Sequence, residues 1–379
     1  MVQKGMSTAG STTLEERDLQ AAQRGDESAY QRIVEAHRGE LHAHCYRMLG
    51  STHDAEDALQ EAMLRSWKSI GRFEGRSSVK SWLYRIATNT CLDTIQKRPK
   101  QRVLPIDYAP AADPHDGPGA PVIESVWVDP YPDEELGIED GFAGPGASYE
   151  RREAVELAFI AALQHLPPNQ RAVLILREVL GFSAKETAET LDTTVASVNS
   201  AMQRARKAVE VRTPEQSQQE TIRTLGDERV KEIVERYIDA WDRADVEAIV
   251  AMLTEDACFA MPPLASWFGG PKGGREEIGE FLGLFPLSGK WEWRTVTATA
   301  SGQPAIGYYI RDAGSDDSFQ PFALNVLTLR GEQISDVTAF VARSIDADQT
   351  DYERWPDRDV DPEQLFATFG AFGLPTELD

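Results

Sequence analysis

Nine prolines and six glycines crowd the 52 residues from Pro99 to Glu150, and this stretch constrains the fold more than any other. Proline fixes φ and lacks a backbone donor, so neither a packed helix nor a central strand is expected there. Loops beyond about 12–15 residues are uncommon inside one compact domain, so 99–150 reads as a linker between separate domains. With 11 acidic and 2 basic residues it reads as a solvated spacer, interrupted by one apolar knot of Ile123, Val126, Trp127, Val128 and Tyr131. A length of 379 residues leaves room for two or three domains around it.

The flanking blocks differ in charge. Residues 1–98 hold 14 basic and 13 acidic side chains, 151–212 hold 9 and 7, and 213–379 hold 14 and 31. The net charge of −23 argues against indiscriminate nucleic-acid binding, but the two blocks around the linker are nearly neutral. No run approaches the roughly 18 apolar residues of a bilayer span, and the N-terminus has no apolar signal core, so no membrane partner is expected. Cys45, Cys91 and Cys258 are far apart and imply no disulfide framework; a reducing cytoplasm is the expected compartment.

Before the linker, apolar residues recur at three-and-four spacing: Ala29, Ile33, Ala36; Leu41, Cys45, Met48; Ala55, Leu59, Ala62; and Leu83, Ile86, Ala87, Cys91. Asp54 reads as the N-cap of the third run. Four helices over 14–98 make a compact all-α domain. Past the linker, over 151–212, one helical run stops at Pro167-Pro168 and a second at Gly181. Two shorter helices, about 187–191 and 196–209, flank the turn Asp192-Thr193-Thr194, a helix-turn-helix arrangement. From Asp227 a stripe of Val230, Ile233, Val234, Tyr237 and Trp241 marks a long amphipathic helix. The period then shifts toward two over 291–299 and in later runs to 341, so 227–343 reads as an α+β domain. An acidic tail, 344–379, ends in Phe366, Phe369, Phe372 and Leu374, too apolar for a solvated end only.

In the second helix of the helix-turn-helix, Val198 and Met202 share an inward face, which turns Ser197, Asn199, Ser200, Gln203, Arg204, Arg206 and Lys207 outward. The first residues of such a helix read base edges, later cations hold phosphates, and Asn or Gln contacts adenine. A merely solvated amphipathic helix would show the same pattern. In the first domain, Asp54, Glu56, Asp57 and Glu61 crowd one helix start, while 65–98 hold eight basic residues among Trp67, Phe73, Trp82 and Tyr84. A charged track with stacking faces suits single-stranded nucleic acid. The competing reading makes the tryptophans core and the carboxylates a helix N-terminal preference.

Enzyme chemistry is not expected. All six histidines precede residue 166, so none serves the C-terminal block. Asp256, Tyr308 and Tyr309 are its candidate acids, Asp256 reads better as a cap before a strand, and no acid/base pair stands out. In His42-x-His44-Cys45 the histidines are two apart and face differently on a helix, so neither a metal nor another cofactor is expected.

Asp54-Ala55-Glu56-Asp57-Ala58-Leu59-Gln60-Glu61, Arg72-Phe73-Glu74-Gly75, Trp82-Leu83-Tyr84-Arg85-Ile86-Ala87 and Asn89-x-x-x-Asp93 closely resemble region two of extracytoplasmic-function sigma factors. Leu166-Pro167-Pro168 through Arg206 resembles their region four. The resemblance implies core RNA polymerase and promoter DNA as partners. By it, Asp54, Asp57, Gln60 and Glu61 bind the clamp helices of the largest polymerase subunit, and the flap is a further polymerase contact. Arg72, Arg76, Ser77, Ser78, Trp82, Arg85 and Asn89 recognise and melt the −10 element, capturing a flipped base. The outward residues of the second helix lie in the major groove at the −35 element. Two departures stand out: the usual Gly of the region-four turn is Asp192, and the common basic pair early in the recognition helix appears as Asn199 and Ala201.

The C-terminal block resembles SnoaL-type domains of the ketosteroid-isomerase-like fold, through Tyr237-Ile238-Asp239-Ala240-Trp241, Leu253-Thr254-Glu255-Asp256-Ala257, Met261-Pro262-Pro263 with Trp267, and Gly274-Arg275-Glu276-Glu277-Ile278. That implies a cone-shaped α+β barrel whose cavity is lined by Trp241, Met261, Trp267, Trp293 and Asn325 and is a candidate site for a small-molecule ligand, unless these residues are simply core. The expected architecture is therefore multidomain: two all-α domains, a sigma region two helical bundle and a sigma region four helix-turn-helix, followed by the SnoaL-like domain. The expected function is a promoter-specificity subunit regulated in cis. The alternatives are a stand-alone helix-turn-helix regulator, which leaves the 54–61 and 82–93 motifs unexplained, and an isomerase- or cyclase-like enzyme fused to a DNA-binding module, which needs a titratable pair in the cavity.

Overall fold

The computed structural model describes residues 8–97, 101–119, 122, 126–136, 154–342, 365 and 368–379; Ile123, Phe366 and most of the tail's acidic stretch lie outside them. The chain forms two compact units. One joins the segment before the linker to residues 166–208; the other gathers residues 101–165 with everything from 209 onward.

The first unit opens with five helices: α1 (Thr8–Gln23), α2 (Glu27–Glu35), α3 (Arg38–Leu49), α4 (Thr52–Ser69) and α5 (Val79–Lys97). Asp26 caps α2 by accepting the Ala29 N–H (3.0 Å), and Ala29, Tyr30, Ile33 and Val34 form its buried stripe. Every residue of α3 from Leu41 to Leu49 is buried, which makes it the central helix. Among its polar members, His44 meets the Thr88 hydroxyl through Nε2 at 2.9 Å. Residues 166–208 attach through buried Arg171, which donates to the carbonyls of Met48 (2.5 Å) and Leu166 (3.3 Å). Tyr84 and Phe182 meet edge to face at 5.7 Å. Helix Pro168–Leu174 continues through one π turn, Ile175–Val179, into helices Ala184–Thr190 and Val195–Glu210.

In the second unit, helices Gln218–Leu225, Asp227–Asp242, Val246–Met252 and Gly270–Leu284 accompany six strands: β1 (Leu253–Ala260), β2 (Trp267–Gly269), β3 (Trp291–Ala300), β4 (Gln303–Asp312), β5 (Gln320–Arg330) and β6 (Gln333–Val341). The sheet order is β2-β1-β6-β5-β4-β3, with β1 and β6 parallel and every other pair antiparallel. The period of two sorts β4: Ile306, Tyr308 and Ile310 join the core that also holds Val230, Ile233, Tyr237 and Phe281. Gly307 and Tyr309 face the other way and meet the tail. Phe369 sits edge-on to Tyr309 (5.2 Å), the Tyr309 hydroxyl donates to the Pro375 carbonyl (2.9 Å), and Leu374 takes the space a Cβ at Gly307 would need. Phe319 and Leu378 exchange two backbone hydrogen bonds (2.7 and 3.0 Å). The apolar end of the tail thus docks on its own domain's sheet.

The described residues between 101 and 136 do not form the solvated spacer that composition suggests. Val126, Trp127, Val128 and Tyr131 are buried, and short turns occupy Pro105–Tyr108, Pro114–Asp116 and Asp133–Leu136. Proline and glycine forbid long elements, but they leave carbonyls and amides free to pair with another domain's backbone. Val122 N–H donates to Pro263 (2.9 Å) and Ala112 N–H to Trp267 (2.9 Å). The tightest grip is on the two-residue β3–β4 turn, Ser301 (φ 56°) and Gly302 (φ 70°). Ser301 N–H donates to the Tyr131 carbonyl (2.7 Å), Tyr131 N–H to Ser301 Oγ (3.0 Å), and Gly302 N–H to Asp133 Oδ1 (2.8 Å).

Candidate nucleic-acid interface and C-terminal cavity

On α4, Asp57, Gln60 and Glu61 are exposed on one face, spaced at three and four residues. Asp54 departs from them. The helix begins two residues before it, so it is not the cap, and it lies buried in the first turn. Sequence reasoning missed Leu64, 55 % exposed one turn beyond Gln60. Its signal was an apolar residue outside the buried Ala55, Leu59, Ala62 stripe. Arg65 pairs with Glu61 (2.8 Å) and with Asp93 (2.7 Å), tying α4 to α5 and holding the Glu61 carboxyl below its usual range.

Arg72, Arg76, Ser77 and Ser78 are exposed in the approach to α5. Ser78 Oγ accepts the Ser81 N–H (3.1 Å) and so caps the helix, and Arg76 pairs with Glu74. Trp82 is half-buried with its ring 5.1 Å from Phe73; Arg85 and Asn89 follow at three and seven residues, both exposed. Leu83, Tyr84, Ala87 and Cys91 form the buried back of α5. The seven candidate −10 residues therefore share the loop and one helix face. Trp67 instead packs on Tyr30 (4.9 Å).

The helix-turn-helix sorts as the spacing demands. Ser183 and Glu186 form a capping box on the first helix, and Thr194 Oγ1 accepts the Ser197 N–H (3.1 Å) at the start of the second. Val198, Ala201, Met202 and Ala205 are buried, while Ser197, Asn199, Ser200, Gln203, Arg204, Arg206 and Lys207 are all exposed. Arg206 pairs with Glu178; Arg204 and Lys207 have no ion-pair partner among the described residues. Asp192, in the place of the expected glycine, adopts φ 49°, the left-handed region that Asp enters more readily than most side chains.

Helix and sheet of the second unit enclose a cavity of about 330 Å³. Trp241, Met261, Trp293 and Asn325 line it, with Phe281 and Tyr308. Trp267 does not. Its indole N–H is donated to the Ala109 carbonyl (2.7 Å), so this side chain fastens the linker instead. Trp241 and Tyr308 meet edge to face at 4.7 Å. Burial, with Tyr237 and Asp242 nearby, pushes the Tyr308 phenol well above its usual range, so it stays a neutral donor. The lining contains Lys290 but no carboxylate or histidine. Asp256 lies within β1 rather than capping it, paired with Arg330 (2.9 Å), which holds its carboxyl low. Tyr309 is on the opposite face of the sheet. No acid/base pair forms in the cavity among the described residues.

Family models match the chain in this order: Sigma-70 region 2 over residues 33–101, Sigma-70, region 4 over 156–209, and SnoaL-like domain over 234–337. The chain is 39% identical over 319 residues to ECF RNA polymerase sigma factor SigG of Mycobacterium tuberculosis, covering 84% of this chain and 82% of SigG. It is 28% identical over 191 residues to ECF RNA polymerase sigma factor SigW of Bacillus subtilis, covering 50% of this chain and 92% of SigW. The crystal structure of the M. tuberculosis extracytoplasmic function sigma factor SigJ has the same fold, with a TM-score of 0.52 at 19% identity over 89% of this chain and 98% of SigJ. The chain belongs to the ECF RNA polymerase sigma factors: it is a promoter-directing subunit of RNA polymerase. To regions two and four it adds a SnoaL-like domain.

Proposed function

We propose that the exposed α4 face, Asp57, Gln60 and Glu61 with Leu64 one turn further along, docks on the clamp helices of core polymerase, and that buried Asp54 supports the helix start without touching the partner. The loop and α5 face from Arg72 to Asn89 melts and holds the −10 element. The outward face of helix Val195–Glu210 reads the −35 element, with Arg204 and Lys207 on phosphates. The protein acts in the cytoplasm and catalyses no reaction of its own.

The SnoaL-like domain regulates this activity in cis by holding the linker between regions two and four. One observation carries that reading: Ala109, Ala112, Val122, Tyr131 and Asp133 of the linker are bonded to the C-terminal domain at Trp267, Pro263 and the Ser301-Gly302 turn. A linker held there is not free to follow a path through polymerase. Run-off transcription with core polymerase tests the scheme. Asp57→Arg is expected to abolish core binding without unfolding the unit, and Asn89→Ala to impair melting with core binding intact. Removal of 213–379 is expected to change transcript yield. Normal permanganate reactivity in the Asn89 variant would refute the pocket assignment, and unchanged yield from the truncation across promoters and salt would refute regulation in cis.

A further inference from the structure

The cavity of the SnoaL-like domain holds polar atoms that nothing in the protein satisfies. Trp241 Nε1, Tyr308 OH and Asn325 Oδ1 are buried in its lining without a hydrogen-bond partner. The three residues are 3 %, 1 % and 3 % exposed. A buried polar group left unpaired is costly, so three in the lining of one cavity point to a partner that arrives from outside. The surrounding wall is apolar and aromatic, and exposed Ser288 and Lys290 mark the mouth. Lys290 is the charged residue of this lining, and the Asp242 carboxylate acts on Tyr308 from outside it.

One further lining residue belongs to the linker. Pro118 forms part of the cavity wall, its carbonyl accepting the Ser266 hydroxyl (2.5 Å), and neighbouring Gly117 packs against the ring of Phe285, another wall residue. A molecule in the cavity therefore touches the linker only while the linker is docked.

We propose that this cavity binds an uncharged, largely apolar small molecule with a hydroxyl or ketone at its deep end, and that binding clamps the linker onto the SnoaL-like domain. The ligand oxygen accepts from the Trp241 N–H and the Tyr308 hydroxyl; a ligand hydroxyl also donates to Asn325 Oδ1. A ligand that contacts Pro118 favours the docked over the released linker by its differential affinity for the two. This deepens the proposed regulation in cis and rests on it for its consequence in transcription.

The test uses the full chain and 2-naphthol, a neutral bicyclic aromatic hydroxyl, with naphthalene and 2-naphthoate as comparators. Binding is followed by calorimetry. Naphthalene is expected to bind about ten-fold more weakly than 2-naphthol for want of the hydrogen bonds, and 2-naphthoate at least ten-fold more weakly because its charge has no cation at the deep end. Tyr308→Phe, which keeps the ring, is expected to cut 2-naphthol affinity several-fold and leave naphthalene unchanged. At saturation, amide exchange over 109–119, including the Ala112 N–H held by Trp267, is expected to slow at least ten-fold. No binding of 2-naphthol, or equal binding of all three probes, overturns the site. Unchanged or faster exchange overturns the clamp. Neither readout involves polymerase, so a transcription assay indifferent to linker docking would refute regulation in cis while leaving these results standing.

Discussion

Asp133→Ala should loosen the linker's hold on the β3–β4 turn without unfolding the domain. Asp133 is buried, and its Oδ1 accepts the Gly302 N–H at 2.8 Å. A hydrogen bond to a charged acceptor contributes about 1.5–3 kcal/mol, and its loss also leaves a donor unpaired wherever water cannot reach it. The adjoining bonds, Ser301 N–H to Tyr131 and Tyr131 N–H to Ser301 Oγ, depend on the same turn and should weaken with it. A loss of about 2–3 kcal/mol corresponds to roughly a 30- to 150-fold more frequent opening of the segment, at 1.36 kcal/mol per factor of ten. Hydrogen–deuterium exchange measures this directly. Peptides covering 126–136 and 299–304 should exchange faster by that factor, while α3 and α5, in the other unit, keep their protection. Equal exchange in the two proteins would show that the Asp133 bond does not hold the segment on this turn and would refute the polar-latch argument.

Three further outcomes are expected. Asp192→Gly, which relieves a left-handed φ, should stabilise the unit by up to about 1 kcal/mol, read as a higher melting temperature; a lower one would mean that the Asp side chain does more than tolerate the turn. Burial, aided by Arg47, pushes the His44 imidazole down to about 3. It stays neutral in the folded state while the unfolded chain takes up a proton below about 6.5, so stability is full above that pH and falls as pH drops toward 3. About 2 kcal/mol should disappear between pH 7 and pH 5 in denaturant titrations, and His44→Gln should flatten that slope; an unchanged slope would place the acid sensitivity elsewhere. Leu374→Asp puts a charge against Gly307 and should free the tail, seen as faster proteolysis within 368–379 with the sheet intact; unaltered cleavage would mean that Phe369 and the Phe319–Leu378 pairing suffice.

Local pattern determined most of the helical architecture. Helix period and capping depend on residues three or four apart, so the inward Val198 and Met202, the outward Ser197 to Lys207, and the stripe from Val230 to Trp241 were all legible in the chain. The left-handed Asp192 was visible as a side chain standing where a glycine is usual. Four of the five expected cavity residues, Trp241, Met261, Trp293 and Asn325, followed from the resemblance to SnoaL-type domains rather than from local spacing.

What the sequence left open depended on partners distant in the chain. The spacing that put Asp54 beside Asp57 could not reveal that Asp54 itself is buried in the first turn of α4. Trp267 looked like a cavity residue until its indole met Ala109, 158 residues away. The linker is the largest case. Proline, glycine and charge report that a segment cannot build its own helix or sheet, but say nothing about whether another domain will satisfy its backbone. Here the acceptors and donors are supplied by a β-turn some 170 residues further on, and only the tertiary structure brings them within hydrogen-bond distance.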